Sequence, residues 1–76
     1  MMDESLVNMA SEVLGIGADE VRAHCKPVPE IGGYYVWNPA RGGRAMLVSK
    51  GGERLVATSA VSFNRHLADY RAGRRN

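Results

Sequence analysis

His24, Cys25 and His66 are the side chains of this 76-residue chain best suited to hold a metal ion or to form a nucleophile and its base. His24 and Cys25 are adjacent, so a regular helix aims them in different directions, and no second cluster offers further ligands. Ser49, Ser59 and Ser62 lack the glycine-flanked strand-to-helix turn that exposes a nucleophilic serine. Glu53 and Asp69 are isolated carboxylates. Cys25 therefore reads as a small core hydrophobe, and the chain as a non-enzyme with no metal and no cofactor.

Recognition chemistry is better represented. Seven of the eight cations in residues 41–76 are arginine, whose planar fork matches phosphate or carboxylate. Arg41-Gly42-Gly43-Arg44 combines two guanidinium groups with backbone N–H groups that could face an anion. Tyr35, Trp37 and Met46 lie in the apolar runs on either side of it. Aromatics, Met and Arg are enriched at protein interfaces, so Tyr35, Trp37, Arg41, Arg44 and Met46 are the candidate binding residues. The same set would suit base stacking beside a phosphate backbone.

The charge distribution points the same way. Residues 1–40 carry two basic and six acidic side chains, a net of −4, whereas residues 41–76 carry eight basic and two acidic ones, a net of +6. The total of +2 conceals a dipolar molecule, which predicts either an anionic partner for the basic half or attraction between the halves. The start of the chain is acidic and has no apolar run, unlike a secretory signal. No stretch reaches the roughly 18 apolar residues of a membrane span. A single cysteine excludes an internal disulfide and fits a reducing cytoplasm. The 45% hydrophobic content suits one globular domain over residues 1–76, with 1–4 and 74–76 frayed. A chain this short buries only about 60% of its unfolded surface, too little for an enclosed substrate cavity.

The elements that must position these residues follow from spacing. Leu6, Met9, Ala10, Val13 and Leu14 form a helical stripe with Asp3 or Ser5 as cap and Gly15 as stop. A short second helix follows near 18–24, with Val21 and Cys25 on one side and Pro27 and Pro29 ending it in an extended link. Residues 10–21 resemble a helix-turn-helix in their turn glycine and in Leu14, Ile16 and Val21, a resemblance that implies DNA reading. Ser11 departs from that pattern, and Asp19 and Glu20 carry the wrong sign to face phosphate.

Gly-Gly pairs at 32–33, 42–43 and 51–52 bound three β-prone runs, 34–37, 44–48 and 54–58. They predict a three-stranded antiparallel meander, with a two-residue turn at Gly51-Gly52 that sets Lys50 opposite Glu53. That register pairs Trp37 with Arg44 and Tyr35 with Met46. One face then holds Tyr34, Val36, Ala45, Leu47 and Val56, and the other Tyr35, Trp37, Arg44, Met46, Val48 and Leu55. Ala60, Phe63, Leu67 and Tyr70 predict a C-terminal helix starting at Thr58 or Ser59 and packed on the sheet. The expected fold is α+β: two short helices, a three-stranded meander and a C-terminal helix. The expected function is a small non-catalytic protein-interaction module, an adaptor, inhibitor or regulatory subunit. Its partner presents an acidic surface or is a second copy of the chain. The alternative is a nucleic-acid-binding accessory protein using the basic C-terminal half.

Overall fold

In the computed structural model, residues 2–40, 43–58 and 60–75 are described. Helix α1 spans Glu4–Leu14 and helix α2 spans Ala18–Ala23. Asp3 caps α1: its carboxylate accepts from the Leu6 backbone N–H at 2.9 Å, and the Ser5 hydroxyl donates to it at 2.8 Å. The Leu6 N–H, then the Ser5 hydroxyl, hold the Asp3 carboxyl below its ordinary pKa. Gly15 ends the helix in the left-handed conformation, φ +70°, where a side chain is disfavoured.

The sheet has four strands, one more than the sequence predicts, in the antiparallel order β1-β2-β3-β4. They are β1 Cys25–Val28, β2 Gly33–Trp37, β3 Arg44–Ser49 and β4 Arg54–Thr58. The extra strand is the segment read as a proline link. Lys26 pairs with Tyr35 and Pro27 with Tyr34, and a single 3-10 turn, Pro29–Ile31, joins β1 to β2. Proline is tolerated because β1 is an edge strand, where its missing N–H faces no neighbour. Cys25 consequently leaves the second helix and stands opposite Val36.

Both turns differ from expectation by one residue. Ser49, not Lys50, closes the last hairpin on Glu53, leaving a three-residue loop in which Gly52 takes φ +92°. Across the preceding hairpin Trp37 meets Ala45 and Tyr35 meets Leu47, so the Trp37–Arg44 and Tyr35–Met46 pairs do not form. The two slips add to a two-residue shift between β2 and β4, which leaves the faces of those strands unchanged. Tyr35, Trp37 and Leu55 keep a common face, while β3 turns over: Met46 and Val48 join Tyr34 and Val36, and Leu47 joins Tyr35.

Helices cover both faces. Leu6, Val7, Ala10 and Leu14 of α1, with Val21 of α2, pack on Tyr34, Val36, Met46 and Val48. Helix α3, Phe63–Arg71, packs its Tyr70, Phe63 and Leu67 around Leu47, Val28, Tyr35 and Leu55 on the other side. It starts later than its apolar stripe suggests. Ser62 is the cap, accepting from the Arg65 N–H at 3.2 Å, and Ala60 is exposed outside the helix.

Candidate functional site

Helix α3 lies over β4 and β3. On the same face, the β1–β2 side holds an open basin of about 320 Å³ lined by Lys26, Tyr35 and Trp37. Alternation along β2 puts Tyr35 and Trp37 on that face together, and pairing of β1 sets Lys26 directly beside Tyr35. The two rings stack with centroids 5.7 Å apart and planes 28° from parallel. Phe63 abuts Tyr35 edge-on at 4.8 Å, and His24 abuts Trp37 at 5.8 Å. Each contact between Phe, Tyr and Trp rings is worth about 0.5–1.5 kcal/mol beyond area burial. Both Tyr35 and Trp37 remain half-buried. Desolvation raises the Tyr35 phenol above its ordinary pKa, so the ring is neutral near pH 7.

The Lys26 ammonium sits 3.9 Å from the centre of the Phe63 ring and 5.7 Å from that of Tyr35. Among the described residues it has no carboxylate within ion-pair distance. Four arginines are differently placed. Arg22 pairs with Glu4 and Asp19, Arg65 and Arg74 share Asp69, and Arg75 reaches Glu53 at 4.0 Å while lying over the Tyr70 ring at 3.7 Å. These exposed pairs contribute little to stability, at most about 1 kcal/mol each. They do occupy the guanidinium groups.

Of the five residues singled out by sequence, Tyr35 and Trp37 come together at the basin. Met46 does not: it is 0% exposed on the opposite face, in the α1 core. Arg44 also leaves the basin. Its guanidinium donates to the Val13 carbonyl of α1 at 2.6 Å, and the Asn38 side-chain amide donates to Leu14 at 3.2 Å. The two side chains satisfy carbonyls that the helix end leaves without partners. Replacing Arg44 with serine should therefore lower stability by about 1 kcal/mol in chemical denaturation. An unchanged midpoint would remove this capping role. Arg41 lies outside the described residues.

Sequence reasoning missed His66 as a packing residue and Lys26 as the basin's cation. His66 is 1% exposed, and its Nε2 lies 2.7 Å from the Leu55 carbonyl. A carbonyl only accepts, so Nε2 donates to it, and Nδ1 has no partner among the described residues. The signal was present: His66 stands three residues after Phe63 and four before Tyr70, on the buried stripe. Cys25 packs on the α1 side, its thiol 3.6 Å from the Arg22 carbonyl. The sheet thus separates it from His66, and no nucleophile–base pair forms between them. No group of three His, Cys, Asp or Glu among the described residues is placed to hold a metal ion.

No family model, curated protein or solved structure matches the chain. The site must be judged by its own geometry. Two stacked, half-exposed rings and one unpaired ammonium on a rigid sheet can bind a flat or ring-bearing group next to an anion. No helix among the described residues is long and apolar enough to cross a membrane.

Proposed function

We propose that this chain is a small, non-catalytic protein-interaction module of the cytoplasm, contacting its partner through the Lys26, Tyr35 and Trp37 basin. The observation that carries the reading is the stacked Tyr35–Trp37 pair left half-exposed at the margin of α3, with an unpaired ammonium beside it. Rigid aromatics bring large contact area at low entropic cost, and Lys26 favours a partner that is acidic at this point.

A nucleic-acid partner is the second reading: Arg22, Arg65, Arg74 and Arg75 are held in ion pairs, whereas Lys50, Arg54 and Arg71 have none among the described residues. Phosphate binding draws its free energy from cations available to displace counterions. The test is affinity capture from the source cell with the wild-type chain and a Trp37→Ser, Lys26→Glu variant, with and without nuclease. The expected result is a protein captured by wild type, retained after nuclease and lost with the folded variant. Capture abolished by nuclease, or falling steeply with salt, would favour the nucleic-acid reading instead.

A further inference from the structure

We infer that the α1 face of the sheet carries a second site, a surface depression beside β1 that binds a medium-chain alkyl carboxylate. The alkyl chain lies against Met2, Cys25 and Pro27, and the carboxylate is taken by the Lys50 ammonium and the Tyr34 hydroxyl. This site is across the sheet from the Tyr35–Trp37 basin and is independent of the role given to that basin.

Two depressions adjoin along β1. One, of about 220 Å³, is lined by Met2, Arg22, Cys25, Pro27 and Tyr34. The other, of about 230 Å³, is lined by Pro29, Gly32, Gly33 and Lys50 together with the same Pro27 and Tyr34. Cys25 and Pro27 are alternate residues of β1, so their side chains share the face on which their cross-strand neighbours Val36 and Tyr34 pack under α1. Together the depressions reach the lower end of the range for small-ligand sites, about 300–1,000 Å³. At about 3.3 Å per residue, the strand from Cys25 to Val28 is about 10 Å long. A ligand reaching from one depression into the other must therefore be extended along the strand.

Tyr34 is the polar group common to both. It is only 7% exposed, yet its hydroxyl has no hydrogen-bond partner among the described residues and still touches solvent. A phenol set this deep ordinarily finds a partner. Tyr70 on the other face is the contrast: it is similarly buried, and its hydroxyl donates to the Glu53 carbonyl at 3.2 Å. The Tyr34 hydroxyl is a donor without an acceptor at the place where the two depressions meet.

Charge sets the direction of the ligand. No carboxylate lines either depression, although residues 1–40 carry a net −4. Arg22 stands at one end and Lys50 at the other. Arg22 is held by Glu4 and Asp19, whereas Lys50 has no carboxylate within ion-pair distance among the described residues. An anionic head is therefore drawn to the Lys50 end, where ammonium and phenol are both free to donate. The Arg22 end offers apolar walls instead: the Met2 side chain, the Pro27 ring and the Cys25 thiol, which is turned to the Arg22 carbonyl at 3.6 Å. The Met2 thioether chain is flexible and adapts to the alkyl chain it meets.

The probe is decanoate, titrated against the full chain below its micelle-forming concentration. Amide shifts of Cys25, Tyr34 and Lys50 report the site, and alkylation by N-ethylmaleimide reports Cys25 alone, because the chain has one cysteine. The shifts should saturate together, and alkylation should slow about tenfold at ten times the Kd, as mass action requires. Octanoate, two methylenes shorter, should bind about tenfold more weakly, equivalent to about 1.4 kcal/mol. Decyltrimethylammonium, with the same chain and the opposite charge, should also bind about tenfold more weakly. Lys50→Glu should abolish the preference for decanoate over the ammonium, and Tyr34→Phe should weaken decanoate about fivefold. Both variants should keep the wild-type melting curve, since neither polar group has a partner among the described residues. Four results would overturn the assignment: shifts that do not saturate, saturation without protection of Cys25, equal binding of the two charges, or wild-type affinity for decanoate in either variant. Shifts centred on Tyr35 and Trp37 would put the alkyl chain in the basin and overturn it as well, while the protein-contact reading would stand.

Discussion

Gly33→Ala should unfold the chain or cost more than about 3 kcal/mol, a large share of the stability of a domain this small. Gly33 sits in the middle of three strands, opposite Val28 on one side and Ser49 on the other. A Cβ placed there would overlap the Val48 carbonyl oxygen and lie 2.6 Å from Ser49 Cα. Both are backbone atoms, so no rotamer change relieves the overlap, and β2 must separate from β3 at its start. Gly32 supplies the contrast. Its φ of +62° disfavours a side chain, but nothing lies within 4 Å of its Cβ position. Gly32→Ala should cost about 1–2 kcal/mol, the strain of one left-handed residue. Thermal unfolding followed by circular dichroism separates the two. For a domain of this size each kcal/mol moves the midpoint by about 4–8 °C. A Gly33→Ala chain that melts cooperatively within a few degrees of wild type would refute the close approach of β2 and β3.

Met46→Ala should cost about 2–5 kcal/mol, because it empties the centre of the α1 layer. Met46 is 0% exposed and paired with Val36 and Val56, beneath a helix that cannot collapse fully into the vacated volume. Urea denaturation gives the cost from the midpoint shift at constant slope. A loss under about 1 kcal/mol would return Met46 to a surface, as its sequence-based assignment required. Trp37→Ala on the same sheet, half-exposed, should cost less than Met46→Ala while removing partner binding.

Local information was enough for several elements. Asp3, the stripe from Leu6 to Leu14 and Gly15 carry a start, a face and a stop for α1, and all three operate within one helix. The glycine pairs mark where β2, β3 and β4 begin, because turns impose backbone conformations that few other residues accept. Phe63, Leu67 and Tyr70 announce the buried stripe of α3 by their spacing alone. The aromatic half of the candidate site, Tyr35 and Trp37, was legible for a similar reason: two residues apart on one strand, they must share a face.

What the sequence could not determine depends on contacts between distant segments. Whether a proline-bearing stretch becomes a strand depends on its lying at a sheet edge, and only the pairing of Cys25–Val28 with Gly33–Val36 decides that. The face assigned to Met46 and Arg44 depends on register, and one residue more or less in a turn reverses every side chain of β3. Arg44 accordingly finds its partner at the end of α1, 31 residues away, and not beside Trp37. Lys26 gains its place by β1 pairing, which brings it to Tyr35 and within reach of Phe63. Spacing within a segment is set by the helix and strand repeats and can be read directly. Which segment faces which is settled by packing the whole chain into one core, and that is where the basin was made.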